Sequence, residues 1–396
     1  MLEIGLAKKE INPKEPERTF WLEPEEPSVT KSIDSLYVRA TVFKEKDIQI
    51  ALVSIDVIGL SRVTTDDIKN SLEYIGFKPG QVAICCTHTH TSPVTVYLKG
   101  ILASEKYLNF VKQQTVNCVK EALEKRRIAA VGFGKGISEL SVNRREIGRM
   151  KEVNSLRIPT GLIDPEVGVI KIKHQNDQSE SLLVFYTGHP LTLQNPVNVF
   201  SADYPGKLTQ ILEKEFDFAQ FFQGCAGNVN IKINGDIHTV VKVGSILAEQ
   251  VTHIARQIQV QKDITIKMST DTINLPWDVE TLNEKSIIRE YPSLSESAAN
   301  TIVQVVKMND ARIIILPGEP FVEIGLAIKK IMKKEYCFVV GYCNQGEVGY
   351  IPVPEAYPEG GYEIEDAYKR YGVYRLGPEA SQMLIKKVID IERREI

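Results

Sequence analysis

The sequence predicts an α/β protein of layered mixed sheets flanked by helices, and three observations carry that prediction. A strand, loop, helix, strand pattern occurs three times. Its strands close on Gly, His, Pro or a carboxylate, and no Pro/Ser-rich or low-complexity linker separates one copy from the next. With 396 residues, 43% of them apolar and 25% charged, the chain has ordinary globular composition and enough length for a large core. A single domain over residues 1–396 is the expectation.

The first unit opens at Ile48 with IQIALVSIDVIGLS, an apolar run closing on Asp56 and Gly59 as a buried strand does on entering a loop. Capping residues and spaced apolar positions predict a helix from Thr64 to Tyr74. Lys78-Pro79-Gly80 breaks it, and Val82 to Cys86 is a second buried strand that ends at THTHTSP. The second unit spans Ser181 to Val229: LLVFYTGHP ends a strand at His189, Tyr204 to Phe216 is helical, and FAQFFQGCAGN is a strand running into glycines. The third spans Arg312 to Tyr350: RIIILPGEP ends at Glu319, Val322 to Lys334 is an amphipathic helix, and YCFVVGYCNQGEVGY closes the unit. Two connections, the polar and Arg-rich Ser141 to Thr160 and Leu275 to Ala298 with its Pro276, Trp277 and Pro292, are expected to cover a pocket. In α/β sheets functional groups collect beyond strand ends, so the six ends of these units are where chemistry is expected.

Bulk charge narrows the partners. A formal net charge of −3 provides no basic field for a nucleic acid. The clusters at Lys125 to Arg127 and Lys329 to Lys334 read as solvated faces. The N-terminus lacks the charged start and apolar stretch of a secretory signal, and no run of about 18 apolar residues occurs, so a cytoplasmic protein without an integral membrane segment is expected. The six cysteines show no C-x-x-C pair and several lie in apolar strands, which predicts reduced core thiols. A small-molecule substrate remains as the expected partner; oligomeric state is not encoded in these features.

His88 and His90 sit two apart after an apolar strand, where extended backbone would project both imidazoles to one face. Such a pair suits a metal and its bound water, and equally suits two hydrogen-bonded structural histidines. His189 ends another apolar strand between Gly188 and Pro190, which favours the metal reading. His174, His238 and His253 lie in polar or helical settings and receive no role. Glu319, between Gly318 and Pro320, is either a ligand or a first-turn carboxylate facing the dipole of the following helix. Tyr350 can bind a metal or an oxyanion through its phenol, but spacing does not separate it from Tyr342, Tyr357 and Tyr362. The loop Gln223 to Asn230 exposes backbone N–H groups and two Asn amides without the Lys-Ser/Thr ending of a phosphate loop. G-x-S-x-G, H-E-x-x-H and dinucleotide fingerprints are absent from the sequence.

Taken in order, I-G-L-A-K-K-E-I-N-P, T-H-T-H-T-S-P, N-R-R, G-H-P, Q-G-C-A-G-N-V-N, P-G-E-P and G-Y-I-P-V-P-E-A-Y-P-E-G-G-Y-E resemble the neutral/alkaline non-lysosomal ceramidases over nearly the whole chain. The resemblance implies the fold of that family's catalytic domain, without its C-terminal immunoglobulin-like domain. It implies Zn²⁺ held by His88, His189, Glu319 and Tyr350, with His90 and Arg144 reaching the substrate or the attacking water. Asp56 is added as an acceptor for a ligating imidazole's second nitrogen. The family's Gly loop reads G-D-x-S-P-N with a catalytic serine, whereas Asn230 stands at that place here. The implied activity is therefore zinc-dependent hydrolysis of an amide or ester other than ceramide by metal-activated water, with Asn230, Arg144 and Tyr350 stabilising the oxyanion. The alternatives are a metal-assisted lyase, isomerase or phosphoesterase, and a ligand-binding relative without turnover. Arg144, Arg145 and Arg149 in one segment suit a polar or acidic molecule, or a plain surface.

Overall fold

The run that closes each of the three units pairs in parallel with the run that opens it, and the intervening helix makes the crossover. Ile48–Ile55 pairs with Val82–Cys86 across helix Arg62–Glu73. Glu180–Tyr186 pairs with Phe218–Gln223 across Asp203–Leu212. Ala311–Ile315 pairs with Cys337–Val340 across Val322–Met332. Parallel pairing forces both strands of a unit to deliver their carboxyl ends to the same edge. The computed structural model from which this is drawn describes residues 1–20, 28–145, 161–194, 198–283, 298–344 and 346–394.

Two of these units lie at opposite edges of an eight-stranded mixed sheet. Its order is Val82–Cys86, Ile48–Ile55, Tyr37–Glu45, Glu3–Glu10, Arg127–Ile137, Glu166–His174, Glu180–Tyr186 and Phe218–Gln223. The third unit forms half of a four-stranded sheet with Ile266–Pro276 and Ala298–Met308. Alternation along the strands decides the layers. Ala51 and Val53 face helices Arg62–Glu73 and Glu105–Glu124 through Ile68, Leu72 and Val111, whereas Ile50 and Leu52 face the four-stranded sheet with Ile313 and Ile315. Leu182 and Val184 likewise meet helices Asp203–Leu212 and Ile237–Gln257, while Leu183 and Phe185 turn to the second sheet. Helices Val322–Met332 and Ala380–Arg393 cover that sheet's outer face through Ile324, Ile328, Leu384 and Val388. The order is thus helices, sheet, sheet, helices.

The sheet interface is aromatic at its centre: the Phe338 ring stacks on Phe185 at 4.6 Å. Gly168 makes room for it, since a Cβ there would lie 2.4 Å from the Phe338 ring. The predicted helices appear with shifted ends. Ser61 caps the first by accepting the Thr64 N–H, and the second stops at Leu212, with Glu213 to Phe216 continuing as turns. The six cysteines are buried and free. Lys330 and Lys333 are exposed, as a solvated face requires, but Lys329 departs from that reading: its ammonium is 2.7 Å from Asp164 and 2.8 Å from Glu166. Among the described residues no helix is long and apolar enough to cross a membrane. Residues 146–160, including Arg149, and 284–297, the bulk of the two segments expected to cover a pocket, lie outside the described residues.

Candidate metal centre and active site

The exits of the three units are stitched to one another by backbone hydrogen bonds. The Cys86 N–H donates to the Tyr342 carbonyl at 2.9 Å and the Gly341 N–H to the Gln223 carbonyl at 3.0 Å, and within the third unit the Cys343 N–H donates to the Leu316 carbonyl at 3.2 Å. His88, His189 and Glu319 arrive at one point because the strands that carry them end at one edge. Local backbone then aims each side chain. His88 sits in the left-handed region at φ 67°, its N–H donating to Val57, so the two-apart histidines do not share an extended strand as expected; they meet through this turn. Tyr342 is also left-handed, at φ 59°, and such strained residues cluster at functional sites. His189 is held by its N–H to Val229 and bridges Asn230. Glu319 follows Gly318 at φ 60° and pairs in parallel with Tyr350.

Hydrogen bonding determines which nitrogen of each imidazole faces inward. His88 Nδ1 lies 2.5 Å from the Ile58 carbonyl and His189 Nδ1 lies 3.0 Å from the Ala226 carbonyl. A carbonyl only accepts, so both Nδ1 atoms carry a proton, and in the neutral ring the inward-facing Nε2 is then the nitrogen with the lone pair. His88 Nε2 faces Glu319 Oε2 at 3.2 Å, His189 Nε2 faces the same oxygen at 3.8 Å, and His189 Nε2 is 3.0 Å from His90 Nε2. His88 Nε2 and Glu319 Oε2 are buried without a hydrogen bond of good geometry. Lone pairs packed against one another in a buried site repel, and a cation between them removes the repulsion.

The donor set fits a divalent metal. The one-atom ligands of His88, His90 and His189 all lie within 4.8 Å of one another. Ligands of tetrahedral zinc, bonded at about 2.0–2.1 Å, stand about 3.3 Å apart, close to the spacings observed. A cavity of 10 Å³ bounded by Ile58, His88, Glu319, Tyr342 and Tyr371 adjoins the cluster; roughly one water fits such a volume.

Burial drives the electrostatics here. It holds His90 and His189 well below the usual imidazole value, with His88 and the Arg144 charge adding to it. Burial would raise the Glu319 carboxyl, but His88, the Tyr371 hydroxyl and Arg144 outweigh it and hold the group low. The phenols of Tyr342, Tyr350 and Tyr371 are pushed well up by burial and by the Glu319 charge, so they remain protonated donors.

Arg144 reaches the cluster from its side. Its guanidinium donates to Glu363 at 2.8 Å, the Gly227 carbonyl at 2.6 Å, the Tyr350 hydroxyl at 3.0 Å and Asn230 Oδ1 at 3.3 Å. Arg145 donates to the other Glu363 oxygen at 2.7 Å. Arg144 and Arg145 are therefore largely buried and paired, not the plain surface that a run of arginines allows. Tyr350 lies beside Glu319 in register and its hydroxyl engages Arg144. The expectation for Asp56 is corrected: its carboxylate accepts from the Tyr37 N–H at 2.8 Å and pairs with Arg39 at 3.3 Å, while the imidazole protons go to backbone carbonyls. Three participants were not singled out from sequence. Tyr342 packs against His88 with tilted rings at 4.3 Å, Tyr371 donates to Glu319 Oε1 at 2.5 Å, and Phe20 meets the His90 ring edge-on at 4.4 Å. His174 is a packing residue, bonded to the Ile4 carbonyl.

Comparison with known proteins agrees with this architecture. The chain superposes on a ceramidase solved in complex with C2 with a TM-score of 0.81 at 15% identity, covering 100% of this chain and 76% of that one. It superposes on the neutral ceramidase from Pseudomonas aeruginosa with a TM-score of 0.77 at 15% identity, covering 98% and 74%. The family described as neutral/alkaline non-lysosomal ceramidase, N-terminal, matches residues 33–235, a span that contains His88, His90, Arg144, His189 and Asn230. With half of its length matched and the fold shared throughout, this chain belongs to the neutral/alkaline non-lysosomal ceramidase family.

Proposed function

We propose that this protein is a zinc-dependent hydrolase of an amide or ester bond, with His88, His189, Glu319 and Tyr350 as the metal-holding set. The observation that carries the proposal is the convergence of His88 Nε2, His189 Nε2 and Glu319 Oε2, with the Nδ1 atom of each imidazole turned to a backbone carbonyl. When bound, zinc supplies Lewis acidity that acidifies water towards a pKa of about 7 and polarises a carbonyl.

The protein's own residues do the rest. His90, kept neutral by burial, is the proton acceptor at the attacking water and returns the proton to the leaving group. Arg144, fixed in place by Glu363 and Gly227, stabilises negative charge developing on the carbonyl oxygen, with the Tyr350 hydroxyl and the Asn230 amide beside it. Asn230 stands where the family motif carries serine, and an amide is no nucleophile, so direct attack by water is the route. That replacement also supports a substrate other than ceramide. A carboxylate, two imidazoles and an open position suit other metal-assisted reactions too, so the substrate test is a panel of ceramides, short amides, esters and phosphoesters.

Metal content is the first test. Purified protein is expected to hold close to one zinc per chain by mass spectrometry, and His88→Ala is expected to lose it, with affinity falling by more than the roughly 10–100-fold typical of groups behind a ligand. Absence of stoichiometric zinc, or retention of metal and turnover by the variant, contradicts the proposal.

A further inference from the structure

The two oxygens of Glu319 are treated differently by the protein. Oε2 faces His88 Nε2 and His189 Nε2, at 3.2 and 3.8 Å, while Oε1 accepts the hydroxyl of Tyr371 at 2.5 Å. Tyr371 comes from a segment with no other part in the cluster. It ends the short helix Ala367–Tyr371, which is closed by Gly372 at φ 63°. That glycine is required twice over, because a Cβ on it would lie 2.7 Å from the Tyr97 ring. The Tyr371 ring packs against Tyr350 at 6.4 Å and both Tyr371 and Glu319 are buried. The phenol is therefore anchored independently of the carboxylate it touches.

A carboxylate can grip a metal through one oxygen or through both. Two-oxygen binding fills an extra coordination position, and a catalytic zinc centre needs a position kept open. A hydrogen bond that occupies Oε1 makes Oε2 the sole metal-facing oxygen and fixes the plane of the carboxylate. We propose that Tyr371 is a positioning residue that restricts Glu319 to one-oxygen ligation and so keeps a coordination position open. This rests on the metal-hydrolase reading above.

Cobalt(II) is the probe, because its visible bands are intense at low coordination number and weaken as ligands are added. Wild-type protein titrated with cobalt is expected to give intense bands. In Tyr371→Phe, which keeps the ring packing, the bands are expected to lose intensity and the metal to dissociate about 10–100-fold more readily in competition with a chelator. Tyr357→Phe removes a hydroxyl that donates only to the Leu376 carbonyl, and is expected to leave spectrum and affinity unchanged. In a Glu319→Ala background Tyr371→Phe is expected to change neither quantity further. Wild-type bands and affinity in Tyr371→Phe, or the same losses in Tyr357→Phe, overturn the inference while leaving the metal centre intact. Failure of wild-type protein to take up cobalt or zinc overturns the metal-hydrolase reading itself.

Discussion

Burial sets the protonation of the candidate site's histidines His90 and His189 and of its phenols, whereas at Glu319 the neighbouring groups outweigh it. Asp34 is the clearest case outside the cluster. Its carboxyl accepts the Ser201 hydroxyl and the Ala202 N–H, both at 2.6 Å. The Ser201 backbone carbonyl accepts the hydroxyls of Thr89 and Thr91, the residues on either side of His90, at 2.8 and 2.9 Å. Burial pushes the Asp34 pKa up to about 6, against the opposing effect of those hydrogen bonds. A folded-state pKa above the unfolded value of 3.8 means that the native protein keeps a proton which the unfolded chain releases. The resulting stability is fully present below about pH 4 and is lost as pH rises through about 6, a loss of about 3 kcal/mol. Urea unfolding of wild type and Asp34→Asn from pH 4 to 7 should show the wild type losing stability relative to the variant across that window; a pH-independent difference contradicts the assignment.

At the scale of elements, the exits matter more than the helices between them. Glu319 is presented by a two-residue parallel pairing with Tyr350, and Gly318 makes the turn into it. Alanine at 318 would place a Cβ 2.5 Å from the Gly349 carbonyl oxygen in a backbone conformation that L side chains rarely adopt. Gly318→Ala is expected to cost about 1–3 kcal/mol and to reduce metal occupancy together with it. Wild-type unfolding and metal content in that variant contradict the account. These exits are legible in the sequence because a buried strand closing on G-H-P or P-G-E-P places a polar side chain where solubility alone gives no reason for it. Tyr371 is not legible: A-Y-K-R-Y-G reads as the frayed end of any short helix, and only the fold shows which carboxylate the phenol reaches. The acceptors for the imidazole protons are equally silent, since Ile58 and Ala226 contribute carbonyl oxygens that every residue has. Asp56 misleads for a related reason. Its neighbour Arg39, on the adjacent strand, is near it only through the pairing of Tyr37–Glu45 with Ile48–Ile55, a register that no local pattern announces.

For the molecule as a whole, three parallel crossovers embedded in two packed sheets explain how residues over 200 positions apart share one buried site. The eight-stranded sheet supplies His88 from one edge strand and His189 from the strand next to the opposite edge, and the four-stranded sheet supplies Glu319 and Tyr342 from its own crossover. The aromatic stack of Phe185 on Phe338 packs the two sheets against each other. That arrangement turns the central claim into a question of position. Anomalous scattering at the zinc absorption edge, from crystals of zinc-loaded protein, should give one strong peak within about 2.0–2.3 Å of His88 Nε2, His189 Nε2 and Glu319 Oε2. A peak elsewhere, or none with these three side chains in place, would contradict the account.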